Sequence, residues 1–270
     1  MFRHQPAPPL QPFVDCLWLN ERGALPHTRE RGLPTGCADI VIPLLQDDIL
    51  RYDSDDDAAV RRLRGAVVQG PHDRFSLRGT EGPSSVIGVH FRPGGAAALF
   101  GDALPELRNR TVLLDELWGL PARELRQSLQ DALSPAIKLQ RLEAHLMRRL
   151  RGVDVPDPMV ASVLAAWQRD PSQARVEPAQ RASGCTPARF IRRFETAVGL
   201  TPKRYARVLR FNALLPMLVR RGPRDWAEVA LAGGYFDQSH LIHEFRRLGG
   251  MTPAAYEPVG PDQPTHVAMR

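Results

Sequence analysis

The chain has 270 residues, 43% of them hydrophobic and 24% charged, and a formal net charge of +6. That size and balance suit a soluble globular protein with two domains and separate cores. No stretch approaches the roughly 20 apolar residues that a membrane span needs, and the opening MFRHQPAPPL lacks the apolar centre of a signal peptide, so a cytoplasmic location with no membrane partner is expected.

Read in chain order, the first hundred residues are short strands and turns. Segments 39–45, 66–69, 75–78 and 86–91 are brief, rich in β-branched residues and punctuated by Gly, Pro and Asp. In VIGVHF, Ile87, Val89 and Phe91 share one face and leave Gly88 and His90 on the other. Such spacing predicts a small antiparallel β-barrel or sandwich of cupin-like form. From Asp115 the period becomes helical, with Leu139, Leu142, Leu146 and Leu150 on one stripe and Arg141, Arg148 and Arg149 away from it. The stripe could close the β-structure or meet its copy in a second protomer, and packing within the chain is the simpler expectation.

This half also offers three places to look for chemistry. His27, His72 and His90 would have to converge inside a barrel to hold a metal, and no H-x-H pair supports that. A metal-dependent enzyme of the small-barrel type, with an accessory helical domain, is therefore the alternative reading; the expectation is no metal, no cofactor and no catalysis. The acidic run Asp53, Asp55, Asp56 and Asp57 starts like a calcium loop, but Ala58 and Arg64 stand where glycine and glutamate are required. Pro93, Gly94 and Gly95 follow a strand and precede an Ala-rich segment; their amides could nest an anion, and a tight turn explains them more simply. Cys16, Cys37 and Cys185 form no C-x-x-C pair and read as small buried apolar residues. No G-x-S-x-G, P-loop or dinucleotide fingerprint occurs.

The run RGVDVPDP at 151–158 breaks the helical pattern and reads as a linker. It divides the charge as well: residues 1–155 carry 20 Lys/Arg and 20 Asp/Glu, whereas residues 156–270 carry 16 and 10. Between Arg189 and Arg210 seven cations, Arg189, Arg192, Arg193, Lys203, Arg204, Arg207 and Arg210, face one acid, Glu195. That density suits a phosphate backbone.

The same region contains an internal echo. Ile191, Phe194, Gly199, Thr201, Pro202 and Tyr205 recur 51 residues later as Ile242, Phe245, Gly250, Thr252, Pro253 and Tyr256, and a fixed period means a repeated supersecondary unit. In the first copy Thr186 is a plausible N-cap, Pro187 fits the first turn, and Gly199 stops a helix; Thr201 and Pro202 open another helix over 203–219. In the second copy Asp237 caps a helix over 238–248, Gly249 and Gly250 stop it, and Thr252 and Pro253 start again. Shorter helices at 176–182 and 226–232 precede these, each followed by a glycine turn at Gly184 or at Gly233 and Gly234. Short helix, turn and exposed polar helix make a helix-turn-helix, written twice.

The run GGYFDQSHLIHEFRRLGGMTPAAY, with CTPARFIRRFETAVGLTPKRYARVLRF before it, resembles the tandem helix-turn-helix domain of AraC/XylS-type transcriptional regulators. PFVDCLWL, LPTGCADIVI and VIGVHFRPGGAAALFG are similar to the sensor half of a subset of that family. The resemblance implies an α+β chain: residues 1–150 a sensor and dimerisation domain with a helical tail, 151–158 the linker, 159–258 an all-helical DNA-binding domain with its two motifs joined by a long helix, and 259–270 a flexible tail. It implies double-stranded DNA as the partner, a small-molecule effector, a homodimer, and RNA polymerase if the protein is an activator.

The family's base-reading face maps onto Ala188, Arg189, Ile191 and Arg192 in the first copy and Gln238, Ser239, His240 and His243 in the second, with Arg193, Lys203 and Arg204 as further DNA-contacting cations. Arg189 or Arg192 would take guanine and Gln238 adenine. A joining helix of 17 residues over 203–219 spans roughly 25 Å, which with the flanking modules allows two reading helices about 34 Å apart, in successive major grooves. Departures from the family pattern are Pro178, Ala179 and Gln180 in the first short helix, Pro216 inside the joining helix, and His243 where arginine is more usual. The first module should therefore give general affinity more than specificity.

Overall fold

Runs with a two-residue period become strands, and runs with a 3.6-residue period become helices, in the computed structural model, which describes residues 2–54, 60–150, 156–219 and 225–269. The N-terminal half contains β1 (Phe2–His4), β2 (Val14–Arg22), β3 (Arg29–Gly32), β4 (Asp39–Pro43), β5 (Asp48–Tyr52), β6 (Val60–Arg64), β7 (Val67–Gln69), β8 (Ser76–Gly79), β9 (Ser84–Phe91), α1 (Ala97–Phe100), β10 (Thr111–Leu113), α2 (Leu114–Trp118), α3 (Leu120–Gln130) and α4 (Pro135–Arg149). The C-terminal half contains α5 (Pro158–Arg169), α6 (Val176–Ala182), α7 (Pro187–Val198), α8 (Pro202–Val219), α9 (Trp226–Ala232), α10 (Gln238–Gly249) and β11 (His266–Ala268).

The strands form two separate antiparallel sheets rather than one closed barrel, in the orders β1-β2-β9-β4-β7-β10 and β11-β3-β8-β5-β6. In the first sheet Val89 lies opposite Leu17 and Ile40, and Ile87 opposite Leu19 and Ile42. These side chains and Phe91 are fully buried, on the face expected for VIGVHF. They share one core with Leu125 and Leu129 of α3 and with Leu139, Leu142 and Leu146 of α4. The leucine stripe of α4 is thus consumed inside the chain. Arg149 departs from its expected outward position and stacks its guanidinium 4.0 Å from the centre of the Trp118 ring.

Gly94 adopts φ 81°, the Gly95 amide donates to Arg92 O at 2.8 Å, and a Cβ on Gly95 would lie 2.0 Å from Phe13 O. Chain reversal and close packing account for both glycines. Of the cysteines, Cys16 is buried, while Cys37 and Cys185 are half-buried. Asp55, Asp56, Asp57 and Ala58 of the acidic run, and residues 151–155 of the linker, lie outside the described residues.

The C-terminal half has two cores that match the two copies of the echo. The first gathers Val160, Leu164, Trp167, Phe190, Phe194 and Tyr205; the second gathers Phe211, Leu214, Phe245, Leu248 and Tyr256. Pro216 neither ends nor shortens α8, which continues to Val219. At the last turn of a helix the proline deletes a single backbone hydrogen bond, while Leu214, Leu215 and Leu218 remain buried around it.

The second core also contains Leu33 from the N-terminal half and Val267 from the chain end. Residues 259–270, expected as a flexible tail, include β11, which pairs antiparallel with β3 at the edge of the second sheet. The cause is the open edge of β3, on which Val267 is buried while His266 on the opposite face accepts from Arg78 Nη2 at 2.9 Å. Arg78 in turn holds Glu30, which is 3% exposed, through Nε at 3.0 Å and through Nη2, while His27 Nε2 sits 2.8 Å from the same carboxylate.

Burial opposes ionisation of Glu30, but Arg78 and the His27 hydrogen bond outweigh it and bring the pKa down to about 2. Burial and the neighbouring Arg78 hold His266 neutral, with its pKa down at about 3. Both folded pKa values are depressed, so both groups stabilise the fold above their unfolded pKa values. That contribution is lost on acidification, from about pH 6.5 for His266 and from about pH 4.3 for Glu30. Urea unfolding midpoints should fall over both ranges, and Glu30→Gln should remove the steeper loss below about pH 4.3, together with stability on the order of 3 kcal/mol at pH 7. An unchanged acid profile in the variant would contradict the assignment.

Candidate nucleic-acid interface

Each copy of the echo builds the same local structure from the same chemistry. Thr186 accepts from the Arg189 amide and Asp237 from the His240 amide, at 3.4 and 2.7 Å, so both long helices are N-capped by a side chain one residue before they begin. Gly184 and Gly234 turn the chain between short and long helix with φ 65° and 73°. Gly199 and Gly250 end α7 and α10 in the left-handed region, at φ 79° and 68°, where a residue with a Cβ is strained. The expected start after Thr252 and Pro253 is only a 3-10 turn, Pro253–Ala255.

One face of each long helix is buried and the other is bare. α7 buries Phe190, Phe194 and Val198 and exposes Ala188, Arg189, Ile191 and Arg192, the last apolar member, Ile191, at 41%. α10 buries Leu241, Glu244, Phe245 and Leu248 and exposes Gln238, Ser239, His240 and His243. All eight positions assigned to the two reading faces thus stand on solvent-facing surface.

The remaining candidates divide by their partners. Arg189, Arg192 and Lys203 are exposed and, among the described residues, have no acidic partner. Arg193 instead grips Asp157 through Nε and Nη2 at 2.8 and 2.7 Å, and Arg204 binds Asp73 of the N-terminal half at 2.7 Å. Arg207 forms a two-point pair with Glu244, Nε to Oε2 at 2.6 Å, and Arg210 donates to Ala174 O at 3.1 Å. Positions 193 and 244 are equivalent in the echo, and in both modules they hold an internal ion pair. His240 is partly committed too: its Nδ1 accepts from the Phe236 amide at 3.3 Å, and its ring lies edge-on to Tyr235 at 5.3 Å.

Arg246 and Arg247, exposed on the last turn of α10, extend this surface and are not evident from the echo, because their first-copy equivalents are Glu195 and Thr196. Phe236, 86% exposed at the tip of the turn before α10, is a further unexpected member. The modules differ in seating: α6 has no buried residue, as Ala179 and Gln180 foreshadow, whereas α9 buries Ala230 completely.

The flank of α7 that adjoins its exposed face meets the N-terminal half. A cleft of about 340 Å³ opens there, with Phe13, Ala97 and Ala98 on one side and Arg192, Thr196 and Ala197 on the other. Arg108 binds Glu195 at 2.9 Å beside it. The three histidines considered for a metal are each spent locally: His27 on Glu30, His72 on Gly70 O, and His90 on Asp39 at 2.5 Å. Burial lowers the His72 pKa to about 4. Among the described residues no group of three or more His, Cys, Asp or Glu side chains is placed to hold a metal ion.

Asp237→Ala should remove the α10 cap and cost about 1 kcal/mol, read as a lower urea midpoint. Thr186→Ala should cost less than Asp237→Ala, because its cap bond is the longer one. Equal or absent effects would deny the capping role.

Residues 180–257 match a family model described as a helix-turn-helix domain, and residues 2–113 match one described as a domain of unknown function (DUF6597). No curated protein matches the chain. Among solved structures, an apo variant of ToxT from Vibrio cholerae is 10% identical, with 89% of this chain and 96% of that chain covered and a TM-score of 0.47. Wild-type ToxT bound to an unsaturated fatty acid is 11% identical, with 89% and 94% covered and a TM-score of 0.46.

Proposed function

We propose, from the premise that residues 180–257 form an AraC-type helix-turn-helix domain and that the chain is a DNA-binding transcription regulator, that α7 and α10 are its two reading helices and that it reads two successive major grooves. The carrying observation is the matched pair of capped helices, each with its apolar face in a core and its polar face bare. Arg192 and Arg189 suit bidentate recognition of guanine O6 and N7, and Gln238 suits adenine N6 and N7. Ser239 and His243 complete the second face, with His240 serving mainly to fix the turn. Lys203, Arg246 and Arg247 provide phosphate contacts that set register without reading sequence.

The N-terminal sandwich is the regulatory half. A small-molecule effector or self-association into a homodimer acts there, and the result reaches α7 and α8 through the contacts that cross between the halves. The protein works by binding, with RNA polymerase as the further partner if it activates.

Duplex DNA from upstream of the protein's own gene should bind the full chain with an affinity that falls steeply with salt. Arg192→Ala should relax base preference at one position by about 1–3 kcal/mol. Lys203→Ala should weaken all duplexes alike and reduce the salt slope by about 1. Binding insensitive to salt and to both substitutions would refute the assignment.

A further inference from the structure

We infer that the C-terminal segment 259–269 is an intramolecular clasp that holds the second helix-turn-helix against the N-terminal sheet, and that its release raises DNA affinity. This rests on the DNA-binding reading above. The segment belongs to both halves at once. Towards the sheet, β11 pairs with β3 in the register His266 to Gly32, Val267 to Arg31 and Ala268 to Glu30. Two bonds extend that ladder: the Leu33 amide donates to Thr265 O at 2.7 Å and the Met269 amide to Arg29 O at 3.0 Å. Towards the helices, Val267 is buried in the core that contains Phe211, Phe245 and Tyr256. The Tyr256 hydroxyl donates to Pro264 O at 2.6 Å, and within the segment the Val259 amide donates to His266 O at 2.9 Å, folding it back on itself.

The contacts next to the clasp give release its consequence. Arg31 donates to Gly250 O at 3.2 Å and Asn212 to Pro34 O at 2.9 Å, directly beside β3. Farther along the same boundary Asp73, itself fixed by Asn109 at 2.7 Å, holds Arg204. Arg204 follows the exposed Lys203 at the start of α8, where a phosphate would sit. In the clasped arrangement Asp73 competes with that phosphate for the guanidinium. Separation of the halves frees Arg204 and removes a carboxylate from the approach of the DNA. By linkage, DNA must then favour the unclasped form to the same degree that unclasping favours DNA.

A chain ending at Pro264 and the full-length variant Val267→Asp, which places a charge in the shared core, both open the clasp by different means. Each should bind the upstream duplex about fivefold tighter or more than the wild-type chain, with a log-log salt slope steeper by about 0.9, one extra phosphate, while unfolding remains cooperative. In the unaltered protein, saturating duplex should strip hydrogen-exchange protection from the Leu33 and Met269 amides. Equal or weaker binding by the folded variants, or amides that stay protected on DNA, overturns the clasp and leaves the DNA reading intact. Failure of every form to bind duplex overturns the DNA reading and the clasp with it.

Discussion

The arrangement of the whole chain depends on one shared piece of apolar burial: Leu33 from the sheet and Val267 from the chain end sit in the same core as Phe211 and Phe245. Burying two aliphatic side chains is worth roughly 1.5–3 kcal/mol each, a large part of the margin by which a domain is stable. Neither half can give up these residues without opening the core of the second module. The polar contacts at the boundary are then placed by the apolar ones, since Arg31, Asn212 and the backbone of Gly250 lie within a few residues of that core in sequence or in space.

The two glycines that stop the long helices also admit the N-terminal half. A Cβ on Gly199 would lie 2.7 Å from Pro71 Cγ, and one on Gly250 would lie 2.5 Å from Phe75 Cε1. At both ends of the echo, therefore, the backbone conformation that ends a helix coincides with the point where the sheet domain presses closest. Helix termination needs a left-handed residue, and close approach needs the absence of a side chain; glycine alone satisfies both. The duplication accordingly repeats a docking surface as well as a capped helix with one bare face.

Local signals account for most of what the sequence reveals. The caps Thr186 and Asp237, the stops Gly199 and Gly250 and the bounds of α6 and α9 all follow from interactions within a few residues, and such interactions are written in adjacent letters. The fate of the cations is different. Arg193, Arg204 and Arg207 look alike in sequence, yet their partners Asp157, Asp73 and Glu244 lie 36, 131 and 37 residues away. Charge density counts such residues, but only the fold says which are already neutralised. The β11 strand was hidden for the same reason: three residues of weak pattern become a strand because β3 offers them an edge.

The unequal seating of the modules has an electrostatic counterpart. In the second module the ion pair Arg207 to Glu244 is internal to the helices, with Glu244 only 4% exposed; burial opposes its ionisation, and Arg207 outweighs it to hold the carboxyl below its ordinary range. In the first module the equivalent Arg193 reaches out to Asp157 at the start of α5, and α6 contributes no buried residue. α7 is thus positioned by α5 and by the N-terminal half, through Arg108 to Glu195 and the cleft at Ala197, more than by its own short helix. The two modules therefore meet the N-terminal half by different chemistry: α7 through an ion pair and a cleft, and α10 through the apolar core it shares with Leu33 and Val267.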